Sequence, residues 1–232
     1  MSTSVLFFAV WPYVALTVFV VGHVWRWRHD QAGWTTRTTQ LLEGRWLHLA
    51  SPLFHFGALA VVAGHALGLL VPARVTSALG LSEDAYHYMA LGFGILAGLA
   101  MATGLVLLVV RRVKFSGRLR LVTTPLDWVV YALVVVIVAI GLWATLGGGG
   151  YDYRETVAVW FRSLFVLNPN VDLMAGAPLV FRLHAAVAFG FVALWPFTRL
   201  VHIWSVPLGY LFRPYMVYRS AGSESRPTVR TR

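Results

Sequence analysis

Residues 51–71 read SPLFHFGALAVVAGHALGLLV, and residues 177–206 read APLVFRLHAAVAFGFVALWPFTRLVHIWSV. Each run reaches the ~20 apolar residues that a bilayer-crossing helix needs. Each also carries two histidines: His55 and His65 in the first, His184 and His202 in the second. A neutral imidazole in hydrocarbon still has one donor and one acceptor to satisfy, so four of them on two helices require partners. Axial ligation of two haem irons satisfies all four together and makes the chain a membrane electron carrier.

Composition points the same way. The 232 residues are 58% hydrophobic and only 12% charged, too little charge to cover the surface of a soluble domain of this size. Reading outward from the two histidine runs gives five spans, roughly residues 5–25, 50–71, 86–110, 126–146 and 177–204. The expected fold is an all-α integral membrane protein, a five-helix bundle forming a single domain over residues 1–232. Residues 205–232 form a tail. The first run lacks both a preceding basic residue and a following small-residue cleavage site, so it is read as a retained helix and not as a signal peptide. The glycine tetrad 147–150 ends the fourth span.

The net charge of +10 does not indicate nucleic acid, because the basic residues cluster between the apolar runs. With the amino terminus outside, fifteen of the nineteen Lys and Arg residues fall on inner segments, including Arg26, Arg28, Arg111, Arg112, Lys114 and Arg199. Only Arg74, Arg154, Arg162 and Arg182 fall outside. The positive-inside rule therefore selects an N-out, C-in orientation with a cytoplasmic tail. The outer loop, residues 151–176, contains RETVAVWFRSLFVL, a mixture suited to a short helix on the outer interface. The absence of cysteine excludes a disulfide framework and an iron–sulfur cluster held by this chain's own thiolates.

The second and fifth spans run in opposite directions. If they face each other, His55 is level with His202 near the inner side and His65 with His184 toward the outer side. The separations are about 15 Å along the second span and about 27 Å along the fifth, a mismatch that tilt and a kink at Pro196 would absorb. A single intramembrane histidine is more often a hydrogen-bonded core residue or part of a proton path than a ligand. Two level pairs on antiparallel spans reverse that weighting. Gly57, Gly64 and Gly68 offer surfaces without side chains to a macrocycle or to a neighbouring helix. Arg111 and Arg112 read as an inner basic loop whose guanidinium groups also suit haem propionates. Asp127 reads as a carboxylate favoured by a helix N-terminus, and His23 as an interfacial residue.

Three stretches carry a resemblance: ASPLFHFGALAVVAGHALGLL (50–70), RRVKFSGRLRLVTT (111–124) and FRLHAAVAFGFVALWPFTRLVHIWSVPLGYLFRPYMVYR (181–219). With them the chain resembles the gamma subunit of membrane-bound respiratory nitrate reductase, a dihaem cytochrome b, over nearly its whole length. The resemblance implies five transmembrane helices in the prokaryotic cytoplasmic membrane, two b-type haems and oxidation of quinol near the outer side. It implies ligation of the inner haem by His55 with His202 and of the outer haem by His65 with His184. Electrons would pass to a cytoplasmic iron–sulfur subunit and through it to a molybdenum-containing catalytic subunit, where nitrate is reduced. Quinol-site candidates are Gly64, His65, Tyr86 and His87. A lysine that the family associates with quinol is expected near the start of the third span, but the sequence there reads SEDAYHYM, so Tyr86 or His87 stands in its place. The alternatives are a cytochrome b serving another quinol-dependent reductase, for perchlorate or selenate, and a histidine-relay proton channel or transporter. Paired, reducible b-type bands in a visible spectrum separate the cytochromes from the relay.

Overall fold

The computed structural model describes residues 2–34, 39, 42, 44–119, 122–147 and 150–205. Five of its helices are long and apolar enough to cross a membrane: Thr3–His29, Arg45–Leu70, Glu83–Lys114, Pro125–Gly147 and Leu179–Phe197. They are numbered here as spans one to five. All regular structure among the described residues is helical. Most of the tail, residues 206–232, lies outside the described residues.

Local chemistry accounts for the irregular places. Pro12 has no N–H to give to the Phe8 carbonyl, and a π-helical stretch, Leu6–Val10, precedes it. The freed Phe8 carbonyl accepts instead from the Trp160 indole at 2.8 Å. Trp160 belongs to helix Val157–Phe165 in the loop between spans four and five. That helix is amphipathic as expected, but its apolar face is not left to lipid. Ala158, Trp160 and Leu164 are buried, and Trp160 and Leu164 join Phe8, Ala15, Met174, Ala177 and Phe189 in the main core cluster. The loop thus folds onto one end of the bundle as a lid, and Arg162 donates to the Leu69 carbonyl at the end of span two.

Spans two and three pack most closely. A Cβ added to Gly57 would lie 2.5 Å from the Met101 nitrogen, and one added to Gly104 would lie 2.4 Å from the Phe54 nitrogen. Glycine on each side therefore permits backbone-to-backbone contact. Span five packs on spans one and four, and span four on span three. Spans two and five are not among the closely packed pairs of the described residues; what brings them together is the imidazoles.

Span five departs from the sequence expectation of one helix from 177 to 204. The α-helix stops at Leu194, a 3-10 turn covers Trp195–Phe197, Thr198 is extended, and a second 3-10 segment runs Arg199–Ser205. Pro196 cannot continue the α-helical ladder. The carbonyls exposed by the break are met by Arg26 of span one, which donates to Pro196 and Thr198, each at 2.7 Å. His202 therefore does not share a continuous helix face with His184, and the 27 Å estimate for that spacing does not apply.

Candidate functional site

The four histidines form two pairs across spans two and five. The His65 and His184 rings lie 6.0 Å apart, centre to centre, with planes 22° from parallel. Those of His55 and His202 lie 6.2 Å apart at 68°. Two imidazole–metal bonds of roughly 2 Å, as first-row metals make, plus half a ring at each end, give ring centres about 6 Å apart. Both pairs match that span. No group of three or more His, Cys, Asp or Glu able to hold a metal occurs among the described residues. Each pair could hold a metal only within a group that brings its own further donors, as a porphyrin would.

Tautomers are set where they need to be. Nδ1 of His55 is 2.7 Å from the Ser51 carbonyl, that of His65 2.8 Å from the Val61 carbonyl, and that of His202 2.6 Å from the Arg199 carbonyl. An Nδ1–H donated to a carbonyl leaves Nε2 with its lone pair free for a metal. His184 differs, since its buried Nδ1 closes no hydrogen bond of normal geometry. Its ring is held by packing: a Cβ on Gly141 of span four would lie 3.1 Å from His184 Cε1. The two pairs differ in ring angle, 22° against 68°, so they are geometrically distinct.

His202 sits on the segment after the break, which is pinned from two sides. Arg199 pairs with Asp127 at 2.5 Å, both largely buried, and also donates to the Val122 carbonyl. Asp127 serves at the same time as a cap for span four, accepting from the Thr124 N–H at 2.7 Å while Thr124 Oγ1 accepts from the Asp127 N–H. On the other side the Trp204 indole donates to Nε2 of His23 at 3.1 Å, with Nδ1 of His23 at the Phe19 carbonyl, 2.7 Å away. Arg26, Asp127, Arg199 and His23 therefore position the segment that carries His202, roles that charge counting and helix-dipole reasoning missed. One sequence signal was present: Asp127 is an acidic residue at the head of an apolar span, in a region otherwise rich in arginine.

Arg111 is 2% exposed and donates to Oγ1 and the carbonyl of Thr39. Arg112 is buried, donates to Thr123 Oγ1 at 2.8 Å and reaches the Tyr131 hydroxyl at 3.5 Å, while its Nε has no partner. The quinol-site candidates separate. Gly64 and His65 adjoin, and a Cβ at Gly64 would meet nothing within 4 Å. Tyr86 is drawn to the same face of span two, because a Cβ at Gly68 would lie 3.5 Å from its hydroxyl and 3.2 Å from that of Tyr153. His87 is exposed, and its ring contact is with Tyr88.

Tyr153 and Arg154, absent from the sequence-derived site, form a hub beside Tyr86. Arg154 is 4% exposed, pairs with Glu83 at 2.9 Å, donates to Thr76 Oγ1 at 3.0 Å, and stacks over the Tyr86 ring at 3.8 Å. Burial, then the neighbouring Tyr86 hydroxyl, pushes the Tyr153 phenol well above its ordinary pKa, so it stays protonated.

The sequence model of the nitrate reductase gamma subunit family matches residues 4–221. The chain belongs to that family. It is 45% identical over 222 residues to the nitrate reductase gamma chain of Bacillus subtilis, covering 94% of this chain and 99% of that one. It is 34% identical to the respiratory nitrate reductase 1 gamma chain of Escherichia coli, covering 94% of this chain and 97% of that one. It is also 51% identical over 220 residues to the nitrate reductase-like protein NarX of Mycobacterium tuberculosis, covering 93% of this chain but only 34% of NarX, so it spans about a third of that relative. Together with the five apolar helices, these relatives make it a multi-pass bacterial membrane protein.

Proposed function

We propose that the chain is the dihaem cytochrome b subunit of a membrane-bound nitrate reductase. It would oxidise quinol near the outer side and pass electrons to a cytoplasmic iron–sulfur subunit, and so to a molybdenum-containing catalytic subunit. The observation that carries this reading is the pair of imidazole couples at 6.0 and 6.2 Å on spans that otherwise barely touch. Two b-type haems, when bound, supply a one-electron relay across the bilayer.

The chain's own residues do the rest. His65 with His184 would hold the outer group and His55 with His202 the inner one, each histidine other than His184 oriented by a backbone carbonyl. Buried Arg112, with its unpartnered Nε, is the propionate candidate that retains donor capacity; Arg111 is engaged by Thr39. The basic asymmetry supports an N-out, C-in orientation, which places the couple nearer the Val157–Phe165 lid outside. Quinol oxidised there releases its two protons outside while electrons travel inward, so the reaction is electrogenic. Between Tyr86 and His87, packing against Gly68 supports Tyr86 as the quinol-site residue.

The test is histidine replacement followed by redox-resolved visible spectroscopy of the complex. Replacing His65 or His184 should remove or convert one haem, and replacing His55 or His202 the other. If His55 and His184 variants lost the same haem, the facing arrangement would be wrong. A reduced wild-type complex without b-type bands would remove the cytochrome reading altogether.

A further inference from the structure

We propose that Tyr153, contributed by the loop between spans four and five, joins Tyr86 in a two-phenol seat that hydrogen-bonds one ring oxygen of the quinol. The inference deepens the function proposed above and rests on it. Both hydroxyls converge on the bare Cα of Gly68, at 3.2 and 3.5 Å from where a Cβ would stand. Gly68 is one helical turn beyond His65, on the side where Gly64 leaves open space. The two phenols hydrogen-bond to one another, which uses one of their two O–H groups and leaves the pair one donor to direct at a ligand.

The seat is built in advance. The Tyr153 carbonyl accepts from the Ala158 N–H at 2.8 Å, and the Asp152 carboxylate accepts from the Arg154 N–H at 3.1 Å. Arg154 then ties the loop to Thr76 and Glu83 and to the face of the Tyr86 ring. Glu83 neutralises the guanidinium, so the groups presented are neutral phenols and not a cation. Because the raised Tyr153 phenol remains protonated, it acts as a donor and not as a base. A ring oxygen of a quinol and a carboxylate of the outer macrocycle are both hydrogen-bond acceptors of the right kind. Their lateral distinction is the open side at Gly64, which admits a flat ring, and the proposal commits to the quinol.

The experiment uses the intact membrane complex with Tyr153→Phe, Tyr86→Phe and the double variant, each of which keeps the ring and deletes the hydroxyl. A hydrogen bond between neutral groups is worth ~1 kcal/mol, so each single variant should raise KM for a short-chain naphthoquinol about three- to tenfold. Fluorescence titration with a non-reducible hydroxynaphthoquinone should show a matching loss of affinity, while the midpoint potential and spectrum of the outer haem stay fixed. Any break in the pH profile between pH 5 and 9 should persist in Tyr153→Phe. Unchanged KM and binding in both single variants would overturn the seat. So would a shifted outer-haem potential with unchanged binding, which assigns the phenols to the haem carboxylates. Should Tyr153→Phe lower haem content, Tyr86→Phe decides the matter alone. Failure of the wild-type complex to oxidise any quinol would instead sink the function on which the seat rests.

Discussion

In the dihaem assembly proposed above, Gly104→Ala should damage the inner haem and spare the outer one. The added Cβ would lie 2.4 Å from the Phe54 nitrogen, 2.7 Å from its Cα and 2.9 Å from its Cβ. These are backbone-fixed atoms that cannot rotate aside. Restoring an ordinary contact of about 3.5 Å requires spans two and three to part by roughly 1 Å at this level. Overpacking of this kind costs about 1–3 kcal/mol. The chemical consequence is more specific than the energetic one, because the residue after Phe54 is His55, whose ring must stay 6.2 Å from that of His202. Metal–ligand distances tolerate only about 0.2 Å. His65 lies ten residues farther along span two, about 15 Å away, where a tilt of the helix can leave the outer pair in register. The assay is haem content per polypeptide, with a redox titration followed in the visible bands. Loss or a shifted potential of the inner component is expected, with the outer component retained. Gly92→Ala is the control, since a Cβ there meets nothing within 4 Å. Two haems at wild-type potentials in Gly104→Ala would refute the packing argument, as would equal damage from Gly92→Ala.

Asp127→Asn should retain the cap on span four, because an amide oxygen still accepts from Thr124, but remove the charge opposite Arg199. Breaking a largely buried pair typically costs about 3–5 kcal/mol, so inner-haem absorbance should be lost at a lower temperature than in wild type; identical melting would deny the pair its anchoring role. His23→Ala should shift the inner-haem potential by freeing Trp204 and the segment that carries His202, and His23→Gln should restore it, since a glutamine oxygen can accept from the indole. An unmoved inner potential in His23→Ala, or an equal shift of both haems, would count against a positioning role.

The distribution of apolar length was enough to count the spans. Burial in lipid rewards any uninterrupted run of about 20 apolar residues whatever its neighbours, so length and hydropathy carry the signal locally. The four ligand candidates were legible for the same reason, because a histidine in such a run is costly unless it has a partner. Which imidazoles lie together was legible as well, from antiparallel order alone. The shape of span five was not. Pro196 announced an interruption, but where the chain went afterwards depended on Arg26, 170 residues earlier, being placed to meet two carbonyls.

The same division runs through the site. Sequence determined the five apolar helices, the two levels of imidazole and the absence of any thiolate ligand, since each follows from residue type and spacing along one element. Tertiary structure decided which glycine meets a helix and which faces open space. Gly57 locks against span three, Gly64 meets nothing, and Gly68 lies under two phenols, though all three look alike in the sequence. It also decided that Tyr86 and not His87 faces span two, that Tyr153 and Arg154 join it from a distant loop, and that Asp127 pairs with Arg199 as well as capping its own helix. The physical reason is that a side chain's local preference depends on its neighbours in the chain, whereas its hydrogen bonds, ion pairs and close contacts depend on partners brought near only by the packing of helices.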